Sequence, residues 1–325
     1  MEKEEIITEG GITYKAKIDS SKDEITFFLE PKSSTPEYLY KYYRLDKNSI
    51  DAIVNGYLFA SHPYNFNDEY DCSPDLIDYS DRNLEFFLDV LGKSLDKDTI
   101  SEYFSSEKDK WRIVRKATEV ASGRLWLRFG VISLTTDLTS MHMWAHYAEN
   151  SGFVVKFNTA KLNKKYRYGP FPVSYRKDLP KIKIPVGEKV ALLLYQSTIK
   201  SQSWEIEKEW RYLTFNQKEN YHPYFLEKNY RSRFETYNKE AIQEIILGYH
   251  FFDPISTSRT IDKDIVKLNR KVLNHKLKRR LLNLIVTRKI PVARVSRRND
   301  TFLLEIHPIH ITKISCNKFE IVDIE

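Results

Sequence analysis

Apolar positions recur along the chain at two spacings, one typical of helices and one typical of strands. The helical spacing of i, i+3, i+4 and i+7 marks a helical insertion that we predict over residues 81–125, with apolar positions at Leu84, Phe87, Leu88 and Leu91. Short aliphatic and aromatic runs, which favour strands, occupy residues 38–44, 57–60, 131–134 and 152–157. Together these patterns predict an α+β fold with a mostly antiparallel, split β-sheet.

The two ends of the chain carry patterns of their own. Residues 11–18 and 24–29 predict a β-hairpin across a polar turn. We therefore assign residues 1–36 to an N-terminal β appendage and linker, and residues 37–325 to a single α+β domain. Near the other end, residues 261–288 predict a basic C-terminal amphipathic helix. Its apolar stripe consists of Ile261, Ile265, Leu268, Val272, Leu281 and Leu284.

Composition narrows the class of protein. Hydrophobic residues make up 41% of the 325 residues, which is enough for a substantial core. The two cysteines, Cys72 and Cys316, exclude a disulfide framework and a multi-cysteine zinc site, and they favour a cytoplasmic location. No apolar run reaches the roughly 18 residues of a membrane span, so we expect no membrane association. The net charge of +7 permits a nucleic acid or another anionic partner without requiring one.

Two polar stretches are candidates for chemistry. Residues 130–157 predict a strand, a short helix that carries Trp144, His146 and Tyr147, and a second strand. Further on, residues 203–213 alternate Glu205, Glu207 and Glu209, which a strand would place on one face. Glu207 or Glu209 with His146 or Tyr147 would suit acid–base or electrostatic work. The alternative is a packed aromatic helix and a solvated acidic strand.

Several common catalytic motifs are missing from the sequence. It contains no G-x-S-x-G, G-x-x-x-x-G-K-[ST], G-x-G-x-x-G or H-E-x-x-H pattern, which disfavours serine hydrolases, nucleotide-binding loops of the usual kinds and zinc proteases. Asp68, Glu69 and Asp71 could ligate a metal, but their spacing does not fit a calcium loop. Turns stiffened by aspartate side chains are the alternative, and we expect no metal. A metal-dependent nuclease built on this loop remains a further functional alternative.

The basic helix predicts a possible nucleic-acid contact. Lys276, Lys278, Arg279 and Arg280 form a cluster that could track phosphates. This would make the protein a non-enzymatic nucleic-acid-binding or sensing module. The alternative is a solvated helix whose lysine stems cover apolar surface.

Taken in order, the motifs resemble the bacterial domain of unknown function 2971 family. The resemblance covers residues 38–306, and its main motifs are LYKYYR at 39–44, LFASHPYNFNDE at 58–69, MWAHY at 143–147, EKEWR at 207–211 and EIILG at 244–248. Ser133, residues 152–153 and Trp204 complete the series. The family implies no established activity. It implies a bacterial cytoplasmic protein of mobile or defence gene neighbourhoods.

The same order is similar, at a second level, to ADP-ribosyltransferase-like folds. Those folds place a cation, a hydroxyl and a glutamate on three successive strands. The similarity implies an effector of bacterial antiphage defence or a toxin system that uses NAD as its cofactor and transfers ADP-ribose to a protein or nucleic-acid acceptor, or cleaves NAD. The implied catalytic residues are Glu209, Glu207 and Ser133. The implied NAD-binding residues are Arg44 at the phosphates or ribose, Tyr147 stacked on nicotinamide, and Tyr43, Thr135, Trp144 and His146.

Overall fold

The computed structural model describes most of the chain. The described residues are 2–22, 24–78, 96–105, 126, 129–163, 167–183, 190–215, 233–253, 256–259, 263–269 and 271–324. The helices are α1 (Lys47–Asn55), α2 (Lys97–Ser105), α3 (Met141–Ala148), α4 (Thr159–Leu162), α5 (Val190–Thr198) and α6 (Leu273–Arg288). Short 3₁₀ helices lie at Pro63–Asn65, Pro74–Leu76, Gln202–Glu207 and Lys239–Ala241.

The described strands form four sheets. The strands are β1 (Glu2–Glu9), β2 (Ile12–Asp19), β3 (Glu24–Glu30), β4 (Tyr38–Tyr43), β5 (Tyr57–Phe59), β6 (Phe129–Thr135), β7 (Phe153–Asn158), β8 (Arg167–Pro172), β9 (Ser174–Arg176), β10 (Ile199–Ser201), β11 (Glu209–Phe215), β12 (Phe234–Thr236), β13 (Ile242–Leu247), β14 (Ser256–Arg259), β15 (Lys263–Lys267), β16 (Val292–Arg297), β17 (Leu304–Ser315) and β18 (Lys318–Asp323). The largest sheet has eleven strands in the order β14-β15-β18-β17-β16-β13-β7-β4-β6-β11-β8.

The sheets are mostly antiparallel. Of the described pairs in the eleven-stranded sheet, only β13 and β16 run parallel. The two-stranded sheets pair β9 with β10 in parallel and β5 with β12 antiparallel. The predicted α+β class with mostly antiparallel sheets is therefore confirmed.

The N-terminal strands form a sheet of their own that packs on α5. The predicted hairpin is present as β2 and β3, and β1 adds a third strand that the sequence pattern did not predict. Glu5 of β1 is buried, and its carboxylate accepts hydrogen bonds from the backbone N–H groups of Val190 and Ala191 at 2.7 and 3.1 Å. These donors begin α5, so a carboxylate from the N-terminal sheet satisfies the first turn of this helix.

The two faces of the large sheet bury different helices. On β7, Phe153, Val155 and Phe157 belong to the main core, which α1 and α6 cover. Val154 faces the other way and packs with Trp144 of α3. This alternation is the usual consequence of the strand period of two, and it places α3 on the face opposite α1 and α6.

The large sheet opens between β4 and β6. These strands share the pair Tyr40↔Thr135, whereas β4 pairs with β7 from Tyr38 to Tyr43. Further along β6, Ser61 replaces β4 as the hydrogen-bonding partner of this strand. Its backbone exchanges two hydrogen bonds with Val131, at 2.8 and 2.9 Å. The gap between β4 and Ser61 is the base of a cleft.

The C-terminal helix is shorter than predicted. The prediction of a helix over residues 261–288 is wrong for residues 263–267, which form β15 and pair with β18. Helix α6 begins only at Leu273. One local reason is Asn269, whose side chain accepts a hydrogen bond from the backbone N–H of Lys271 at 2.9 Å and so forms a turn.

The predicted helical insertion is only partly described. Helix α2 lies within residues 81–125, and the rest of that range is outside the described residues except for 96. Among the helices that the structure describes, none has the length and apolar character to cross a membrane.

Gly152 provides a test of how closely β4 and α3 approach the start of β7. A Cβ atom at Gly152 would lie 2.0 Å from the carbonyl oxygen of Tyr43 and 2.7 Å from that of Ala148. Because both neighbours are backbone atoms, we expect Gly152→Ala to lower the free energy of unfolding by about 3 kcal/mol or more. Urea denaturation followed by circular dichroism measures this change.

Gly11→Ala is the matched control for Gly152→Ala. Gly11 has a φ of +78°, but no heavy atom lies within 4 Å of the position that a Cβ atom would take there. Only the left-handed backbone conformation is penalised at this residue, so the expected loss is about 1–2 kcal/mol. Equal losses at the two glycines would contradict the close approach of β4 and α3 at Gly152.

Candidate functional site

The gap in the sheet widens into a cleft of about 330 Å³. Its walls come from β4, the segment 61–71, β6, α3 and residues 200–211. Elements that are distant in sequence therefore meet at the place where the strand ladder is interrupted. Interrupted ladders leave backbone polar groups for side chains to satisfy, so this is a suitable place for polar side chains.

The cleft brings together six of the nine predicted catalytic and NAD-binding residues. These are Arg44, Ser133, Thr135, Tyr147, Glu207 and Glu209. The other three do not line it. Tyr43 is in the main core, where its ring stacks on Phe153 with centroids 5.3 Å apart. Trp144 is buried on α3 and donates to the carbonyl oxygen of Leu138 at 2.9 Å, while the His146 side chain is exposed.

The acidic stretch does not have the predicted conformation. Glu205, Glu207 and Glu209 do not share one strand face, because residues 202–207 form a 3₁₀ helix and β11 begins at Glu209. Lys208 links the two elements in a left-handed conformation with a φ of 43°. The turn leaves Glu205 exposed and directs Glu207 and Glu209 into the protein, where both are buried.

Arg211 is the centre of a buried ionic network. Its side chain is 1% exposed, and its guanidinium forms two hydrogen bonds with Glu209, both 2.8 Å long. On the other side it forms two with Asp71, and it donates to the carbonyl oxygen of Ser197 at 2.9 Å. The five N–H groups of a guanidinium are thereby all used. This arrangement satisfies a charge that would otherwise be costly to bury.

Lys200 connects a third carboxylate, that of Glu207, to the network. Its Nζ lies 2.6 Å from Glu207, 3.1 Å from Glu209 and 3.5 Å from Asp71. Burial opposes the charge of Lys200, but the neighbouring carboxylates, chiefly Glu209, raise its pKa above the usual value. Lys200 is therefore protonated at neutral pH. Three carboxylates share two cations in this network, which leaves one surplus negative charge.

The pKa of Glu209 is shifted in the opposite direction. Burial favours the neutral acid, but the charges of Arg211 and Lys200 outweigh this effect and hold the pKa of Glu209 well below its usual value. Glu209 is therefore ionised at neutral pH. Arg211, in turn, has its pKa raised, since Asp71 and Glu209 outweigh the cost of its burial.

Hydroxyl groups from α3 and β6 fix the position of Glu207. The Tyr147 hydroxyl donates a hydrogen bond to its Oε1 atom, and the Thr135 hydroxyl donates to its backbone carbonyl oxygen at 2.6 Å. Burial, followed by the contact with Glu207, raises the pKa of Tyr147, so this tyrosine keeps its proton at neutral pH. Tyr147 thus links the helix that carries it to the acidic side of the cleft.

Arg44 lies at the open end of the cleft. Its side chain is 57% exposed and is 3.5 Å from the carboxylate of Glu149. It also donates to the backbone carbonyl oxygen of His146 at 3.3 Å. Arg44 is therefore a solvent-accessible cation at the entrance, in contrast to the buried Arg211.

Three cations that line this cleft were not predicted as site residues from the sequence: Lys41, Lys200 and Arg211. Lys200 lies on β10 directly after α5, Lys41 lies among tyrosines on β4, and Arg211 lies on β11. A lysine within an aromatic strand such as YLYKYY is the one local signal, because such a strand is expected to be buried. The pairing of Asp71 with Arg211 joins residues 140 positions apart and has no local signal.

The four residues predicted to contact nucleic acid lie in different environments. On α6, Lys276 is exposed, but Lys278 is 5% exposed, and burial lowers its pKa to about 8. Arg280 forms an ion pair with Asp51 at 2.7 Å, and Arg279 donates to Asn317 at 3.1 Å. The four cations therefore do not form a single free basic surface.

The acidic loop is held by hydrogen bonds within the protein. Asp68 accepts from the backbone N–H of Tyr70 at 2.9 Å, and Asp71 is bound to Arg211. Within the described ranges, no group of three or more His, Cys, Asp and Glu side chains is placed to hold a metal ion. For Asp68, the arrangement matches the turn that was the alternative interpretation of this loop.

Arg211 offers a direct test of the network. Arg211→Met would leave Asp71 and Glu209 buried without their main cation, so we expect a loss of about 3–5 kcal/mol in the free energy of unfolding. Arg298→Met is the control, because Arg298 also contacts two carboxylates, Asp300 and Glu305, but on the surface. The control should lose at most about 1 kcal/mol. If urea denaturation shows similar losses for Arg211→Met and Arg298→Met, the burial of Arg211 is not what makes its ion pairs important for stability.

The pH dependence of stability tests Glu209 separately. A carboxylate with a depressed pKa stabilises the fold above its unfolded-state pKa of about 4.3, and this contribution is lost as the pH falls through the folded-state value. We therefore expect the free energy of unfolding to fall steeply below about pH 4. Glu209→Gln should flatten this acid slope, and the exposed Glu205→Gln should leave it unchanged. Equal slopes in all three proteins would show that Glu209 is not the ionised group described above.

A comparison with protein families gives a match over part of the chain. Residues 143–212 match the family model described as "Protein of unknown function (DUF2971)". The matched segment runs from α3 to β11 and includes Tyr147, Lys200, Glu207, Glu209 and Arg211, so it contains most of the ionic network. No curated protein and no solved structure matches the chain. The predicted resemblance to this family is confirmed over the matched segment.

Proposed function

We propose that the cleft cleaves the bond between nicotinamide and ribose in NAD and passes the ADP-ribosyl group to water or to an acceptor. The observation that carries this proposal is the convergence of Ser133, Thr135, Glu207 and Glu209 in one cleft that has Arg44 at its entrance. A cation, a hydroxyl group and a glutamate are the groups that the similarity to ADP-ribosyltransferase-like folds implies for this reaction.

The charge of the network supports the proposal. NAD carries a positive charge on its nicotinamide ring, and the ribose becomes positively charged as nicotinamide leaves. The network has one carboxylate more than Lys200 and Arg211 neutralise, and this surplus favours both cations when Lys41 of the same cleft is neutral. Because the carboxylates are already fixed by Arg211, Lys200 and Tyr147, they need little reorganisation when that charge develops. This is stabilisation of the transition state rather than of the substrate alone.

The remaining groups have complementary roles in the proposal. Glu207 and Ser133 would orient the ribose hydroxyls, and Arg44 would bind the diphosphate at the entrance. The ring of Tyr147 would pack against nicotinamide. The bond to nicotinamide breaks with both electrons going to its ring nitrogen, so nicotinamide leaves as a neutral molecule. An oxygen of water or of the acceptor then bonds to the anomeric carbon and releases its proton to solvent or to a cleft carboxylate.

The biological setting of the proposal comes from the resemblance alone. We propose a bacterial cytoplasmic effector that acts in antiphage defence or in a toxin system. A nucleic-acid-binding role has less support, because Lys278 is buried and Arg280 is paired with Asp51.

Nicotinamide release tests this function. We expect the purified protein, incubated with NAD and cell lysate as a source of acceptors, to release nicotinamide measured by liquid chromatography. Glu207→Gln preserves the shape of the side chain but removes its charge, so it should reduce the rate about 100-fold or more. Glu205→Gln, on the same 3₁₀ helix but exposed, should retain the full rate.

Two outcomes would contradict the proposal. One is the absence of nicotinamide release by the folded wild-type protein with any acceptor supplied. The other is an undiminished rate in Glu207→Gln with an unchanged circular dichroism spectrum. Mass spectrometry of the lysate proteins and nucleic acids distinguishes transfer to an acceptor from transfer to water.

A further inference from the structure

Two lysines line the cleft in opposite electrostatic environments. Lys200 lies within 3.5 Å of three carboxylates. Lys41 has no carboxylate oxygen within 4 Å among the described residues, and its Nζ donates to the backbone carbonyl oxygen of Ser133 at 2.8 Å. The same side-chain type thus occurs once among three carboxylates and once, within the described residues, with a backbone carbonyl as its hydrogen-bond partner.

The position of Lys41 follows from the gap in the sheet. On β6, Val131 is bonded to Ser61 and Thr135 is paired with Tyr40, so alternate residues direct their backbone groups toward the β4 side. Ser133 lies between them and faces the gap, where β4 is too far away to complete the ladder. The Lys41 amine takes over that role. A neutral amine and an ammonium can both donate to the carbonyl, so this contact does not require the charge.

The surroundings of Lys41 shift its protonation equilibrium toward the neutral form. Burial lowers the pKa of Lys41, and the charges of Glu209 and Glu207 offset this effect only in part. The neutral amine has a free electron pair and is the nucleophilic form of lysine. Lys200 provides no such electron pair, because its pKa is raised.

We propose that Lys41 is a nucleophilic amine that forms an imine with a small aldehyde or ketone bound in the cleft. The Nζ electron pair adds to the carbonyl carbon and gives a carbinolamine. The two amine hydrogens and the carbonyl oxygen then leave as one water molecule, and a carbon–nitrogen double bond forms. Sugars in their open-chain form belong to this class of carbonyl compound, including the free ribose end that NAD cleavage would produce. Imine formation itself does not require NAD cleavage.

Reductive trapping tests the proposal. The full-length protein is incubated with glyceraldehyde and cyanoborohydride near pH 7, and the modified lysines are quantified by peptide mass spectrometry over time. A lowered pKa increases the fraction of an amine that is neutral near pH 7, and only the neutral amine forms an imine. We therefore expect Lys41 to be modified several-fold faster than Lys208, whose side chain is 62% exposed. Lys200, in the same cleft, should remain unmodified.

A variant and a pH series complete the experiment. Lys41→Arg keeps a donor for the Ser133 carbonyl, and it should remove the fast modification without changing the circular dichroism spectrum. The rate at Lys41 should also reach its plateau at a pH below the usual lysine pKa of about 10.4. Modification of Lys41 no faster than that of Lys208, or equal modification of Lys41 and Lys200, would overturn the proposal. Since trapping is measured without NAD, its failure is separate from a failure of nicotinamide release.

Discussion

The buried contact of Arg211 with Asp71 and Glu209 is the constraint on which the rest of the site depends. Bringing these charges out of water costs several kcal/mol for each ion, and only near-complete hydrogen bonding offsets that cost. The guanidinium achieves it by drawing one carboxylate from the loop at Asp71, one from β11 and a carbonyl from the end of α5. Three separate parts of the chain are consequently held in a fixed relation, and the fixed carboxylates are the ones that line the cleft.

A second constraint comes from the backbone of β6. A strand in the middle of a sheet needs partners on both sides, yet β4 diverges after a single pair with β6. Ser61 provides a backbone partner at one point, and the Lys41 side chain provides one at the next. The cleft is therefore the space that remains after the backbone groups have been satisfied. Its polar lining is a direct consequence, because side chains with donors replace the missing strand.

The sequence patterns predicted the elements whose conformation is determined by residues close together in the sequence. The strands β6 and β7, the helix between them and the N-terminal hairpin follow from apolar periodicity and turn residues, and they are present. The helix over residues 261–288 was wrong at its start because Ile265 and Leu268 fit the helical period as well as they fit a short strand and its end. The left-handed Lys208 turned an apparent strand of alternating glutamates into a 3₁₀ helix followed by a strand. Ion pairs across more than a hundred positions, such as Asp71 with Arg211, leave no pattern in one sequence.

The surplus charge connects the two proposals for the cleft. One carboxylate charge remains after Lys200 and Arg211 are counted, and two groups can neutralise it: a protonated Lys41 or a cationic part of a ligand. Since both would act on the same carboxylates, they compete. A ligand cation bound near Glu207 and Glu209 would cancel the charges that raise the pKa of Lys41, and the effect of burial, which lowers it, would then be unopposed. Binding of a cationic substrate would thus release the Lys41 proton and increase the nucleophilic form of the amine. The network that stabilises the fold would in this way also couple the charge of a bound ligand to the reactivity of the lysine beside it.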